Sequence, residues 1–164
     1  MPVKYLLDTN VLIEAHQRYY AFDLAPRFWD ALKQQAELGR VRSIDRVKAE
    51  LEACRDALAD WARDIFDEAF ASTNDAGVVE KFGKLMTWAQ AQAQYTPAAR
   101  SKFATVADGW LIAYAIEKDF TVVTHEQYSQ ESKARILIPN ACKAFDVPCA
   151  DTFNMLRDLG VSLG

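Results

Sequence analysis

Short apolar runs alternate along this chain with longer stretches in which apolar residues recur every three or four positions. The short runs predict β-strands, at residues 5–7, 40–43, 66–71, 120–124 and 136–138. The longer stretches predict helices, at residues 11–17, 25–38, 45–65, 77–93, 106–118, 140–145 and 151–159. Strands that alternate with helices favour an α/β fold with a mainly parallel sheet covered on both faces.

The predicted helix over residues 45–65 has the clearest pattern. Asp45 can cap its start, and apolar residues from Val47 to Ile65 follow at spacings of three and four. On a helical projection Glu50 lies at the flank of this apolar stripe, away from the face that meets water. A carboxylate in that position costs several kcal/mol unless a cation neutralises it.

Composition limits the class of protein. A chain of 164 residues with 51% hydrophobic and 26% charged residues is typical of one globular domain, which we expect over residues 1–164. A net charge of −4 excludes a strongly basic protein that coats nucleic acid nonspecifically. No segment has the motif of a P-loop or a dinucleotide site.

The apolar runs and the cysteines indicate the cellular compartment of the protein. The longest purely apolar run, residues 110–116, is too short to span a bilayer, and polar residues interrupt any signal-peptide pattern near the N-terminus. Three cysteines without a CxxC spacing argue against a disulfide framework or a structural zinc site. We expect a cytoplasmic protein that does not bind membranes.

Four carboxylates occupy positions where chemistry is expected in such a sheet. Asp8 follows the first predicted strand, and Glu126 follows the strand over residues 120–124. Asp108 opens the predicted helix over residues 106–118 on its apolar face, and Glu50 flanks the stripe described above. Ligands of parallel sheets bind beyond the carboxyl ends of the strands, so we expect these acids to converge there.

Each acid also has a structural interpretation when taken alone. Asp8 can cap a helix, and Glu50 can form an ion pair. Asp108 can form a capping box with Thr105, and Glu126 can be ordinary loop surface. Together, however, three or four acids at one edge need a counter-charge. Hard divalent cations prefer oxygen ligands, and such ions activate water for attack on phosphodiesters.

Four segments that carry these acids resemble the PIN-domain family of metal-dependent ribonucleases, which includes the toxins of Vap-type toxin–antitoxin pairs. The matching segments occur in the order of the family: YLLDTNVLIEA at 5–15, SIDRVKAEL at 43–51, ADGWLIAYA at 107–115 and TVVTHE at 121–126. The resemblance implies a three-layer α/β/α sandwich with four or five mainly parallel strands. It also implies Mg²⁺ or Mn²⁺, an RNA substrate, an antitoxin protein and a homodimer.

The same resemblance assigns roles to particular residues. Asp8, Glu50 and Asp108 match the acidic metal-binding positions of the family, and these acids with Glu126 are the predicted catalytic set. Asn10 matches the polar residue that steadies the first Asp, and Thr124 matches the hydroxyl at the strand end. The family usually has Thr-x-Asp after this strand, whereas this chain has Thr124-His125-Glu126.

These observations favour a metal-dependent endoribonuclease, the toxin of a type II toxin–antitoxin pair. A catalytically degenerate PIN-fold binding or regulatory module is the alternative, motivated by Glu126 in place of the usual Asp. A phosphotransferase or phosphatase with an aspartyl nucleophile is disfavoured because Asn10 occupies the place of its second Asp. A hydrolase triad lacks a nucleophile-elbow motif.

Overall fold

A parallel five-stranded sheet lies at the centre of the computed structural model, which describes residues 2–164. The strands are β1 (Tyr5–Leu7), β2 (Val41–Ile44), β3 (Phe70–Ala71), β4 (Thr121–Val123) and β5 (Cys149–Ala150), in the spatial order β3-β2-β1-β4-β5. All four neighbouring pairs are parallel. The predicted parallel sheet is therefore confirmed, with β1 and β4 side by side near its middle.

Helices connect the strands and cover the sheet in the predicted three-layer α/β/α arrangement. They are α1 (Thr9–Glu14), α2 (Pro26–Glu37), α3 (Asp45–Ala53), α4 (Ala57–Asp64), α5 (Ala76–Ala91), α6 (Pro97–Thr105), α7 (Ala107–Lys118), α8 (Ile138–Ala144) and α9 (Thr152–Asp158). A π-helical turn over Ala15–Tyr19 extends α1, and a 3-10 turn over Asp67–Ala69 precedes β3. Within residues 2–164, no helix has the length and apolar content to cross a membrane.

The core explains why such short strands are stable. Leu6, Leu7, Val122 and Val123 of the two central strands are fully buried, as expected for parallel strands covered on both faces. Helix α7 is buried along most of its length and packs most extensively against α5. Because apolar side chains bury the two central strands, Asp8 is the first charged residue at the carboxyl end of β1.

The predicted single helix over residues 45–65 is wrong, because the chain forms α3 and α4 with a break between them. Arg55 adopts a left-handed conformation with φ of 53°, which a continuous helix cannot contain. The carboxylate of Asp56 then caps α4 by accepting a hydrogen bond from the Ala59 amide at 3.0 Å. The apolar spacing continues across the break, so periodicity alone did not reveal it.

The predicted strand over residues 136–138 is also wrong. Ile136 and Ile138 are buried, but Leu137 already occupies the N-cap position of α8. The fifth strand is instead β5, which pairs with β4. Buried apolar residues bounded by a proline fit either a strand or a buried helix start. Helix α6 was not predicted, and the strand predicted over residues 66–71 is reduced to β3.

Replacement of Asp56 tests whether α4 is a separate, capped helix that begins after a break in the chain. Asp56→Ala removes the side-chain cap of α4, so it should lower the free energy of unfolding by about 1 kcal/mol. Asp60→Ala in the same helix removes only an exposed ion pair with Arg63, and its effect should stay below about 0.5 kcal/mol. Urea unfolding of both variants gives these values. Equal effects would contradict a capped second helix.

Candidate active site and metal centre

The pairing of β1 with β4 places Asp8 beside the segment that carries Glu126. Leu7 is in register with Val123, and the Asp8 amide donates to the Val123 carbonyl at 3.1 Å. The Thr124 hydroxyl then donates to Asp8 Oδ2 at 3.3 Å and accepts a hydrogen bond from the Glu126 amide at 3.1 Å. Thr124 thus links the two acids at the carboxyl end of the sheet.

Asp108 is brought to the same place at the start of α7, and an arginine joins it to Glu126. Arg135 Nη2 lies 2.7 Å from Glu126 Oε2 and 3.6 Å from Asp108 Oδ2. The other carboxylate oxygen of Glu126 accepts a hydrogen bond from the Ile138 amide at 2.8 Å. Arg135 therefore forms ion pairs with two of the predicted site acids.

Glu50 reaches the site from α3 and connects two helix starts. Its Oε1 accepts a hydrogen bond from the Thr9 hydroxyl at 2.6 Å, and its Oε2 accepts one from the Ala107 amide at 3.1 Å. Thr9 begins α1 and Ala107 begins α7, so both donors lie where helix dipoles favour a negative charge. Glu50 thus joins the start of α1, next to Asp8, to the start of α7, next to Asp108.

The electrostatics show that these carboxylates repel one another. Burial raises the pKa of Asp8 well above its usual range, and the charges of Asp108 and Glu126 raise it further, while the Thr124 hydrogen bond lowers it. Burial and the Glu126 charge raise the pKa of Asp108 to about 6, with Arg135 acting in the opposite direction. Glu50 also raises the pKa of Asp108. The cluster therefore favours protons or a bound cation.

The structural interpretations of the individual acids are not supported. Asp8 occupies the N-cap position of α1 without a capping side-chain hydrogen bond. The capping box is absent, because the Thr105 hydroxyl bonds to the Lys102 carbonyl. Glu50 accepts hydrogen bonds but, in the described part of the chain, forms no ion pair. Glu126 is mostly buried rather than ordinary loop surface.

Asn10 and the two histidines contribute less to this geometry. The Asn10 side chain is exposed, and its contribution is the backbone amide, which lowers the pKa of Asp8. His125 Nε2 lies 3.2 Å from the Thr152 hydroxyl, and His16 packs against Phe22. Over residues 2–164 neither histidine bonds to a carboxylate, so the geometry offers no triad.

The donor set fits a hard divalent cation by its chemistry. All the acids offer carboxylate oxygens, and Mg²⁺ needs only one or two of them because it retains several waters. Asp108 keeps one oxygen, Oδ1, without a partner in the described part of the chain. Both oxygens of Glu50 accept hydrogen bonds, and those of Glu126 are held by the Ile138 amide and by Arg135. As positioned in residues 2–164, no three His, Cys, Asp or Glu side chains lie close enough together to hold a metal ion.

Sequence reasoning missed Thr9 and Arg135. Thr9 follows Asp8 directly, and its place before an apolar helix was a usable signal. Arg135 lies in the irregular segment between β4 and α8, where no periodicity indicates which way a side chain points. Among the basic residues, the Lys102 charge acts on Asp108, whereas Arg40 and Lys81 form ion pairs elsewhere, with Asp158 and Glu117.

A cavity of about 540 Å³ lies apart from these acids, bordered by Arg42, Arg63 and Glu68 among others. None of the four predicted catalytic acids lines it. Carboxylate geometry, rather than cavity size, therefore locates the candidate site.

Two solved structures share this fold. VapBC2 from Rickettsia felis, bound to a DNA fragment from their promoter, matches over 91% of this chain and 98% of that chain, with 17% identity and a TM-score of 0.55. FitAcB from Neisseria gonorrhoeae matches over 88% of this chain and 95% of that chain, with 19% identity and a TM-score of 0.54. At these identities the matches establish the fold, and they confirm the PIN-like architecture predicted from the sequence.

Sequence comparison adds a family. No curated protein sequence matches the chain. A family described as a domain of unknown function, DUF4411, matches residues 5–163, which include every site residue described above. The chain therefore belongs to the DUF4411 family and has a PIN-like fold.

Proposed function

We propose that this protein is a Mg²⁺- or Mn²⁺-dependent endoribonuclease that hydrolyses RNA phosphodiester bonds. The observation that supports this most is the convergence of Asp8, Glu50, Asp108 and Glu126 at the carboxyl end of the sheet, where the neighbouring acids raise the pKa values of Asp8 and Asp108. A cluster with a purely structural purpose would pair each acid with its own cation, whereas Arg135 is shared by two of them.

The residues would divide the work in a definite way. Asp8 and Asp108 would hold the metal with Glu50 beside them, and the bound ion would polarise the phosphodiester and lower the pKa of the attacking water. Thr124 orients Asp8, and Glu126 orients Arg135. Without metal, burial and the Glu126 charge raise the pKa of Asp108 to about 6, and a bound cation would favour its ionised form.

We further propose that the chain acts as one domain, is the toxin of a type II toxin–antitoxin pair, forms a homodimer and works in the cytoplasm. The resemblance of its four motif segments to Vap-type toxins supports this, as does the shared fold with VapBC2 and FitAcB. Co-purification of this chain with the product of an adjacent small gene, followed by loss of RNA cleavage in the complex, would test the partner.

Asp8→Asn is the direct test of the enzyme. It keeps the shape of the side chain and removes the charge that binds the cation, so the initial rate of RNA cleavage with Mn²⁺ should fall at least about 100-fold. The matched control is Asp146→Asn, because Asp146 is exposed and its left-handed backbone (φ 56°) suits asparagine. Unchanged cleavage in Asp8→Asn would contradict the site assignment.

Metal binding separates the enzyme from a degenerate binding module. Millimolar Mn²⁺ should raise the melting temperature, and a concentration 100 times the dissociation constant would stabilise the fold by about 2.7 kcal/mol. Asp8→Asn should lose this shift, and EDTA should reverse it in the wild type. A melting temperature that is independent of Mn²⁺ would favour the module.

The repulsion among the acids predicts how stability changes with pH in EDTA. Because the folded-state pKa of Asp108 is about 6 rather than 3.8, protonation favours the folded state, and this contribution is lost as the pH rises through 6. Between about pH 7.5 and about pH 5, the wild type should therefore gain about 1 kcal/mol relative to Asp108→Asn. Urea unfolding at both pH values measures the difference. Parallel pH profiles would contradict the raised pKa.

A further inference from the structure

One cation close to the acid site is held in a fixed orientation without an acidic partner. Arg46 lies four residues before Glu50 in α3, so the two side chains share a face of the helix. Its guanidinium carbon lies 4.0 Å from the centre of the Trp110 ring. Trp110 is itself stacked on Phe82, with ring centres 3.8 Å apart and an angle of 9° between the planes.

Hydrogen bonds fix the same side chain from the opposite direction. Arg46 Nε donates to the Thr73 hydroxyl at 3.1 Å. Thr73 is fixed in turn by Asp45, which accepts from the Thr73 amide at 3.1 Å and from its hydroxyl at 2.9 Å. Stacking and the Nε bond together set the plane of the guanidinium. An arginine ordered in this way loses little entropy when it binds an anion.

The ends of this guanidinium remain available. Arg46 is exposed, and within residues 2–164 its two terminal nitrogens have no protein hydrogen-bond or ion-pair partner. Arg46 borders a groove of about 320 Å³ that Ala49, Ala53 and Ala107 also line and that extends to Glu50. The small side chains leave room for a polynucleotide backbone, and the planar pair of N–H groups suits a phosphate.

We propose that Arg46 binds a backbone phosphate of single-stranded RNA and positions the strand along this groove toward the acid site. The proposal rests on the proposed ribonuclease function and names how its substrate is held. Arg46 and Glu50 lie about one helical turn apart along α3. Arg46 would also add a positive charge near the acids to those of Arg135 and Lys102.

RNA binding in EDTA, where cleavage does not occur, tests this residue. Fluorescence anisotropy of a labelled single-stranded RNA at several KCl concentrations gives the dissociation constant and its salt dependence. Arg46→Gln should raise the dissociation constant about tenfold and reduce the slope of log Kd against log salt by about 0.7. Arg46→Lys should keep the slope but recover only part of the affinity, because lysine cannot offer two parallel N–H groups.

The matched control is Arg55→Gln. Arg55 is exposed directly after the same helix and, in the part of the chain that the structure describes, has no ion pair, so this change removes the same charge outside the groove. Its dissociation constant should stay within about twofold of the wild type. Equal weakening by Arg46→Gln and Arg55→Gln, with unchanged slopes, would overturn the proposal.

Cleavage assays with Mn²⁺ on the same proteins distinguish failure of the Arg46 phosphate contact from failure of the proposed ribonuclease activity. If the wild type cleaves RNA and Arg46→Gln binds it as Arg55→Gln does, the phosphate contact is wrong and the ribonuclease stands. If the wild type neither binds nor cleaves RNA, both fail. Thermal unfolding of each variant establishes that it is folded, and Arg46→Lys, which preserves the charge, serves if Arg46→Gln does not fold.

Discussion

Repulsion among carboxylates at the carboxyl end of β1 and β4 is the constraint on which the rest of the site depends. The register of two buried strands puts Asp8 beside Thr124 and Glu126, and the start of α7 adds Asp108. Burial then removes the water that would screen these charges. Arg135 and Lys102 offset part of the repulsion on Asp108, and protonation or a bound cation would offset more of it.

The surrounding structure keeps this unfavourable arrangement in place. Glu50 joins the starts of α1 and α7 through Thr9 and Ala107. Asp8 directly precedes α1, and Asp108 lies in the first turn of α7. Glu126 is fixed between the Ile138 amide and Arg135. Glu50 is thus oriented by neutral donors and keeps its charge, whereas Glu126 is also paired with Arg135. Such preorganisation suits a cation site.

The sequence predicted a parallel sheet and acids gathered at its carboxyl end, since strand ends and helix faces follow from local apolar patterns, but it missed β5. It was insufficient where those patterns continue through a change of structure. The break at Arg55 lies within an unbroken apolar spacing, and residues 136–138 are buried without pairing as a strand. Arg135 and Arg46 acquire their roles from partners distant in the chain, Glu126 and Trp110, and no local pattern encodes such contacts.

Diffraction from crystals soaked in MnCl₂, recorded where manganese scatters anomalously, tests the central claim most directly. The account predicts an anomalous peak between the carboxylates of Asp8 and Asp108, with water completing the coordination, and no such peak in Asp8→Asn crystals. A wild-type map without a peak among these acids, or with manganese bound only elsewhere on the protein, would contradict the claim that their repulsion builds a cation site.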